Sequence, residues 1–167
     1  MGVAVAHETG TMAAVVAAPF GAVGIEVEDG TLTALHFLSE VAPVAPTGDF
    51  ARRVVEQLER YFTTPDAGFD VPLRIRGTPF QRAVWQQIAA IPCGRTRAYG
   101  ELAAELDAPA RAVGQACGDN RLPIVIPCHR VIGANGLGGF AHRSGGFELT
   151  VKRWLLEHEG ALRGPLL

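Results

Sequence analysis

The segment Asn120–Ile132 constrains the fold most strongly, because it sets one thiol directly after a proline in an apolar run. Ile124, Val125 and Ile126 are β-branched, as is typical of a buried strand. Pro127 has no N–H to donate and fixes its own φ, so it ends any strand ladder. The sequence therefore predicts a buried strand at 124–126, with the thiol of Cys128 at its end on a stiff backbone.

Cys128 is followed by His129 and Arg130, and then by a second β-like pair. A thiolate is the nucleophile and a thiol is not, so a working cysteine needs a base or a cation nearby. Successive strand residues face opposite ways, so we expect a turn or a bridging water between Cys128 and His129. Glu159 is the candidate third group that orients His129. The alternative is that Cys128 is an ordinary small core residue.

The neighbouring histidine and the positive charge of the second half lead us to expect a reactive Cys128. Its pKa should then lie below the free value of roughly 8.5. The β-branched residues around the thiol also suggest a tight site. Adding a methyl group there should destabilise the fold by about 1–3 kcal/mol.

Length and cysteine content limit the class of protein. The chain of 167 residues can form one sizeable domain or two small ones. Cys93, Cys117 and Cys128 are an odd number without repeated spacing, which argues against a disulfide framework and suits a reducing compartment. The first ten residues carry no Lys or Arg, and the apolar run Met12–Ala18 is too short for a membrane span. We expect a cytoplasmic protein without a membrane partner.

Charge is distributed unevenly along the chain. The net charge is −2, which is too mild to indicate a nucleic-acid partner by itself. Residues 1–77 carry 5 Arg/Lys against 10 Asp/Glu, whereas residues 78–167 carry 10 against 7. An asymmetry of this kind is a weak indication that the second half contacts nucleic acid.

The first half reads as a small sheet with one helix. Asp29-Gly30 between β-rich runs is a strong hairpin signal. Asp49 is the predicted cap of a helix that extends to about Phe62. The predicted strands are Met12–Ala18, Ala22–Glu28 and Leu32–Leu38. Nothing in this half has a catalytic pattern, so residues 1–76 are predicted to form a scaffold domain.

The second half reads as mostly helical. Thr78 and Pro79 suit the cap and the first position of a helix whose Trp85 packs in the core. Two short helices follow, at about Gly100–Leu106 and Ala110–Gly118, across the tight turn 107–109. Residues 140–150 look irregular, and a last helix is expected at Val151–Glu159.

The overall prediction is an α+β protein in two domains. A small N-terminal three-stranded sheet plus helix (residues 1–76) precedes a mostly helical, winged-helix-like C-terminal domain (residues 77–167). The two short helices form a candidate helix-turn-helix, whose second helix usually enters a DNA groove. The alternative is an ordinary helical hairpin with a solvated face.

The second of these helices supports DNA contact by its pattern. Ala110, Val113 and Cys117 fall on one face and should pack inward. Arg111 and Gln115 are four residues apart and should lie together on the outer face. The outer face would then be available to a DNA groove.

Several motifs in the second half carry a resemblance to a known family. PCHRVI (Pro127–Ile132) is similar to the active-site signature of the O6-alkylguanine-DNA alkyltransferases, also called methylated-DNA–protein-cysteine methyltransferases. The resemblance runs from about Thr78 to Gly160. It includes GTPFQRAVW at 77–85, IPCGRTRAYGELA at 91–103, ARAVGQA at 110–116, Asn120, and KRWLLEHEG at 152–160.

The resemblance implies a role for each matching residue. It implies that Cys128 accepts an alkyl group from guanine O6 by one in-line displacement, with His129 acting through a water and Glu159 holding His129. The matching positions further imply that Asn120 braces the active-site turn and that Tyr99 contacts and helps to protonate the leaving guanine. Other matches imply that Arg111 fills the gap left by a flipped nucleotide, that Gly100 offers its N–H to phosphate, and that Lys152 lies near the pocket.

The sequence departs from the family pattern in three places. Asp119 and Arg121 replace the usual arginine and proline around Asn120. Phe140 stands where a tyrosine is common, and the segment Ala141–Thr150 is a few residues longer than usual. We expect Asp119 to lie on the outer side with Arg111 and Gln115, where a carboxylate would weaken DNA binding.

The resemblance implies repair of double-stranded DNA that contains O6-alkylguanine, with O4-alkylthymine as a further substrate class. It implies a monomer without cofactor that acts once. Two other classes remain open. One is a non-catalytic lesion-binding module, against which Cys128 argues, and the other is a Cys-His-Glu hydrolase with repeated turnover. A structural zinc site is less favoured, because the cysteines lack a paired Cys-x-x-Cys pattern.

Overall fold

The computed structural model describes residues 12–134, 136–138 and 146–162. The chain divides into two compact units, with the boundary between Ile75 and Arg76. The first unit holds a three-stranded sheet and one helix, and the second is mostly helical, so the predicted α+β class is confirmed. None of the described helices has both the length and the apolar content to cross a membrane.

The sheet of the first unit contains the three predicted strands. They are β1 (Ala14–Ala18), β2 (Gly21–Glu28) and β3 (Thr31–Leu38), in the antiparallel order β1-β2-β3. Asp29 and Gly30 join β2 to β3 with φ values of 51° and 70°. Two successive positive φ values are what a tight hairpin requires, which is why this pair signals the turn.

Helix α1 (Asp49–Thr63) packs against β1 and β2 of this sheet. The prediction that Asp49 caps it was wrong by one position, because Gly48 is the N-cap and no side chain caps the helix. Asp49 is instead the first helical residue, where its carboxylate accepts a hydrogen bond from Arg52 at 2.9 Å. An acidic residue in the first turn still favours the helix through its dipole.

The second unit begins with α2 (Pro79–Ala89), whose start follows the predicted pattern. Thr78 Oγ1 accepts from the Gln81 N–H at 3.1 Å, and Gln81 Oε1 accepts from the Thr78 N–H at 2.9 Å. This reciprocal capping box satisfies two N–H groups that the helix itself leaves open. Trp85 is buried as predicted, and its indole N–H donates to the Ala116 carbonyl at 2.8 Å.

A helix-turn-helix follows α2. It consists of α3 (Tyr99–Leu106) and α4 (Ala110–Gly118). Val113 and Cys117 are buried and Arg111 and Gln115 are exposed, as predicted. Ala110 was expected to pack inward but is exposed at the first position of α4.

The predicted strand at Ile124–Ile126 does not form. These residues make a turn in which the Ile126 N–H donates to the Leu122 carbonyl at 2.8 Å and Ile124 has a φ of 73°. Ile124 and Ile126 are nevertheless buried. A positive φ at a β-branched residue is strained and persists only where its surroundings impose it.

The thiol lies at the start of a short 3-10 helix (Cys128–Arg130) that leads into β5 (Val131–Ile132). β5 pairs in parallel with β4 (Arg97–Ala98), which immediately precedes α3. The last helix, α5 (Phe147–His158), begins four residues before the predicted Val151. These elements bring α3, α4, the 3-10 helix and the end of α5 to one site.

Candidate active site

Cys128 is buried, with 3% of its surface exposed. The Asn120 side chain donates from Nδ2 to Cys128 Sγ at 3.0 Å. The thiol of Cys117, on the inner face of α4, lies within hydrogen-bonding range of Sγ. Cys117 was expected only to pack inward, and no pattern in the sequence pairs it with Cys128.

The expectation of a lowered pKa at Cys128 was wrong for the resting protein. Burial raises the pKa of the Cys128 thiol well above its ordinary value, and the contact with Cys117 raises it further. The Asn120 hydrogen bond and the charge of Lys152 act in the opposite direction but do not prevail. The free-energy cost of removing a small anion from water is larger than the stabilisation that one hydrogen bond and one nearby cation provide. The resting group is therefore a thiol, and its proton must leave when it reacts.

Asn120 braces the turn that precedes the thiol. Its Oδ1 accepts from the Leu122 N–H and its Nδ2 donates to the Ile126 carbonyl, both at 2.9 Å. One side chain thus closes both ends of the turn that contains the strained Ile124. The same amide reaches Sγ, so the backbone shape and the position of the thiol depend on one residue.

His129 and Glu159 meet as the sequence indicated. His129 Nε2 lies 2.8 Å from Glu159 Oε2, and both side chains are fully buried. Within the described part of the chain, His129 Nδ1 has no hydrogen-bond partner. Burial lowers the pKa of His129, and Arg130 and Lys152 lower it further, against the opposing effect of Glu159. His129 is therefore an uncharged imidazole with one ring nitrogen open.

Arg130 is a site residue to which sequence reasoning gave no role. Its Nε donates to Glu159 Oε1 at 2.9 Å and its Nη2 donates to Oε2 at 3.0 Å. Its Nη1 donates to the Ile91 carbonyl at 2.6 Å. The available signal was an arginine inside a segment predicted to be buried, since such a group needs a carboxylate partner. Glu159 is that partner, 29 residues away along the chain.

Lys152 is fully buried on α5. Its Nζ donates to the Val131 carbonyl at 2.7 Å and to the Leu137 carbonyl at 2.5 Å. Nζ also lies 5.7 Å from the centre of the Tyr99 ring. Burial lowers the pKa of Lys152 to about 8, against the opposing effect of the two thiols. Lys152 thus supplies a buried cation beside Cys128 that is mostly charged at neutral pH.

Tyr99 lies at the start of α3 and is half-buried. Burial raises its pKa strongly, and the neighbouring thiols raise it further, so its hydroxyl remains a proton donor at physiological pH. Gly138 packs against the ring: a Cβ at this position would lie 3.0 Å from Tyr99 Cε2, and its φ is 73°. A glycine at 138 therefore allows the backbone there to approach the Tyr99 ring closely. Phe140 and the segment 141–145 lie outside the described residues.

The candidate DNA-contacting residues lie apart from the buried groups. Gly100, Arg111 and Gln115 are all exposed, the first on α3 and the other two on α4. Asp119 is partly exposed at the C-cap of α4, four residues beyond Gln115. Its carboxylate accepts from Gln81 Nε2 at 3.0 Å, because the amide of the capping box reaches the end of α4.

The described residues contain no group of three or more His, Cys, Asp or Glu side chains that could hold a metal ion. Fold and site together define a helix-turn-helix protein with a buried cysteine beside a buried histidine–glutamate pair.

Comparison with known proteins identifies the class. Residues 79–161 match the model of the 6-O-methylguanine DNA methyltransferase DNA-binding domain. The methylated-DNA–protein-cysteine methyltransferase of Methanosarcina mazei is 50% identical over 114 residues, which cover 66% of this chain and 69% of that protein. The Mycobacterium tuberculosis protein of the same name is 42% identical over 150 residues, 84% of this chain and 87% of the relative.

Solved structures agree with the sequence comparison. The crystal structure of Mycobacterium tuberculosis O6-methylguanine methyltransferase has a TM-score of 0.73 and 38% identity, and covers 90% of this chain and 93% of its own. The structure of Mycobacterium tuberculosis OGT in complex with DNA has a TM-score of 0.71 and 40% identity, with 88% and 91% covered. The chain belongs to the methylated-DNA–protein-cysteine methyltransferase family.

Proposed function

We propose that this protein repairs DNA by transferring an alkyl group from O6-alkylguanine to Cys128, once per molecule. The observation that carries the proposal is the buried Cys128 thiol, held by Asn120 and followed directly by the Glu159-bound His129. A nucleophile, a base and an orienting group are the parts that covalent transfer to a side chain requires. Family membership supports the same reaction.

The reaction begins with a proton transfer. The Cys128 proton passes to His129 Nδ1. A bridging water carries it, since Cys128 and His129 are consecutive residues of the 3-10 helix and their side chains point in different directions. The thiolate then attacks the alkyl carbon, and the C–O6 bond of guanine breaks as the C–S bond forms. Guanine leaves as the neutral base after it takes up one proton. The net change replaces the S–H hydrogen by the alkyl group.

Lys152 and Tyr99 act on the two ends of this displacement. The Lys152 ammonium favours the thiolate, since its charge lowers the pKa of Cys128. Tyr99 keeps its proton because burial raises the pKa of its hydroxyl, so it can donate to the departing guanine. A proton donor at the leaving group and a cation beside the nucleophile stabilise charges that develop only during the transfer.

The burial of Cys128 determines how the damaged base must reach the thiol. A base inside a duplex cannot reach a thiol that is 3% exposed, so the damaged nucleotide must leave the stack and enter the site. The exposed Arg111 and Gln115 of α4 face the duplex, and Arg111 occupies the space of the extruded base. Gly100, at the start of α3, donates its backbone N–H to a phosphate.

The substrate is double-stranded DNA with O6-alkylguanine, and O4-alkylthymine is a second substrate class because it presents a comparable alkyl ether. We infer that the protein acts as a cytoplasmic monomer without a cofactor. The thioether product has no easy hydrolytic exit, so each molecule is consumed by one transfer. This single use separates the proposal from a Cys-His-Glu hydrolase, which would turn over repeatedly.

A stoichiometric titration tests the proposal. A fixed amount of protein is incubated with increasing amounts of an O6-methylguanine duplex, and the remaining lesion is quantified after digestion. We expect conversion to stop at one lesion per protein. Cys128→Ala should convert none yet still bind the duplex, whereas Cys93→Ala, a change at a cysteine outside the site, should behave like the wild type. Conversion beyond one equivalent would identify a hydrolase, and no conversion would contradict alkyl transfer.

A further inference from the structure

Arg130 forms a two-point contact with the carboxylate that holds His129. Nε and Nη2 of the guanidinium donate to the two oxygens of Glu159, at 2.9 and 3.0 Å. The third nitrogen, Nη1, donates to the Ile91 carbonyl just beyond α2 at 2.6 Å. The planar guanidinium therefore fixes the orientation of the carboxylate as well as its charge.

Glu159 lies where a carboxylate alone would be unfavourable. It is the C-cap of α5, at the negative end of the helix dipole, and its side chain is fully buried. A buried carboxylate requires a cation or several donors. His129 could supply the charge only as an imidazolium, and it would then have no lone pair with which to accept a proton. Arg130 supplies a positive charge without requiring the imidazole to carry one.

We propose that Arg130 is a positioning residue that neutralises Glu159 and so keeps the His129 imidazole uncharged, with its proton on Nε2 and Nδ1 open as the acceptor. The inference rests on the proposed function, because an open acceptor matters only where Cys128 must lose a proton. An ionised Glu159 can only accept hydrogen bonds, so the contact of 2.8 Å places the imidazole proton on Nε2.

The charges around His129 agree with this assignment. Glu159, at the end of α5, favours the imidazolium, whereas Arg130 in the 3-10 helix and Lys152 on α5 oppose it. Burial opposes it as well and is the largest influence. Removing Arg130 would leave Glu159 unopposed at hydrogen-bonding distance from Nε2. The balance would then move towards a charged imidazole that cannot serve as a base.

The pH dependence of transfer in matched variants tests this role. Arg130→Gln keeps a hydrogen-bond donor near Glu159 and removes the charge. We expect the acidic limb of the single-turnover rate to move to higher pH by about 1 unit, with recovery towards the wild-type rate at alkaline pH. Within the acidic limb, where the rate falls as the pH is lowered, the variant should transfer the alkyl group about tenfold more slowly than the wild type. Arg153→Gln, which removes an exposed arginine of α5, should leave the limb in place.

Arg130→Lys separates charge from geometry, because a lysine keeps the charge and loses the two-point contact. Its acidic limb should stay at the wild-type pH while its rate falls at every pH. If Arg130 only supports the fold, Arg130→Gln and Arg130→Lys should both lower the rate uniformly without moving the limb. That result would overturn the proposal.

A spectroscopic measurement on the wild-type protein covers the case in which Arg130→Gln does not fold. The ring nitrogens of His129, assigned by comparison with His129→Gln after uniform nitrogen-15 labelling, report protonation and tautomer directly. We expect the neutral form with the proton on Nε2 at neutral pH. An imidazolium, or a proton on Nδ1, would overturn the proposal. This measurement needs no alkyl transfer, so a failure of the proposed function would be seen separately, as an absence of transfer by the wild type.

Discussion

Asn120 donates one hydrogen bond to Cys128 Sγ and another to the Ile126 carbonyl, at 3.0 and 2.9 Å. The same amide therefore shapes the turn and solvates the sulfur. It is also the side-chain hydrogen bond that lowers the pKa of Cys128, against burial and the Cys117 contact. The position of the thiol and its readiness to ionise are coupled through this residue.

Asn120→Asp should separate these two effects. The substitution keeps the oxygen that accepts from the Leu122 N–H but replaces the amide donor by an anion beside Sγ. We expect a slower transfer at every pH and a loss of stability of about 1–3 kcal/mol, since a donor to two buried acceptors disappears. Single-turnover rates and denaturant unfolding measure the two quantities. An unchanged transfer rate would show that the amide does not assist the thiolate.

Lys152 should make the free energy of unfolding increase with pH in the alkaline range. Its pKa is lowered to about 8, below its ordinary value of roughly 10.4, so between these values the unfolded chain binds more protons than the folded protein. The free energy of unfolding attributable to Lys152 therefore increases with pH in this window. Relative to Lys152→Met, the wild type should gain on the order of 2 kcal/mol between about pH 7 and pH 10.

Denaturant unfolding of both proteins across this pH range supplies the comparison. Parallel curves would mean that folding does not lower the pKa of Lys152. The difference at pH 7 alone does not distinguish the cases, because Lys152→Met also removes the hydrogen bonds to Val131 and Leu137.

Alkylation of Cys128 should destabilise the protein. The thiol is 3% exposed and in contact with Asn120 and Cys117, so an added methyl group must displace a neighbour. We expect a loss of about 1–3 kcal/mol, visible as a lower melting temperature after reaction with a methylated duplex. Protein incubated with the unmodified duplex is the control. An equal or higher melting temperature after reaction would mean that the site already has room for the methyl group.

The salt dependence of DNA binding should distinguish Arg111 from Asp119. Arg111 is exposed on α4, so Arg111→Ala should make the slope of log affinity against log salt shallower by up to about 0.9, because one cation that displaces counterions from the duplex is lost. The Asp119 carboxylate is held by Gln81 on α2, so Asp119→Asn should leave the slope unchanged. Titrations of one duplex at several salt concentrations give all three slopes. A steeper slope for Asp119→Asn would mean that the Asp119 carboxylate lies against the phosphates.

Local patterns predicted most of the fold. Asp29-Gly30 identified the hairpin and Thr78-Pro79 the start of α2. Both predictions were possible because hairpin turns and helix caps are determined by residues that are adjacent in the sequence. The turn at Ile124 was wrongly predicted to be a strand, since three β-branched residues favour extension unless a nearby side chain opposes it. Asn120 is that group, and its hydrogen bonds impose a positive φ that propensity could not indicate.

The site was predictable in part for the same reason. Cys128 and His129 can be recognised from the residues next to them in the sequence, and Glu159 from its place at a helix end. The contacts of Arg130 with Glu159, of Gln81 with Asp119 and of Cys117 with Cys128 join separate elements. Because such contacts depend on how helices pack, they required the structure. The raised pKa of Cys128 follows from burial that the sequence does not reveal.

The central claim is that Cys128 itself receives the alkyl group, although the Cys117 thiol lies beside it. The most direct test is the mass of the intact protein after incubation with excess O6-methylguanine duplex, followed by peptide mapping of the modified cysteine. The account predicts a gain of one CH2 unit, carried by the peptide that contains Cys128, with Cys117 and Cys93 unmodified. An unchanged mass, or a methyl group on Cys117, would contradict it.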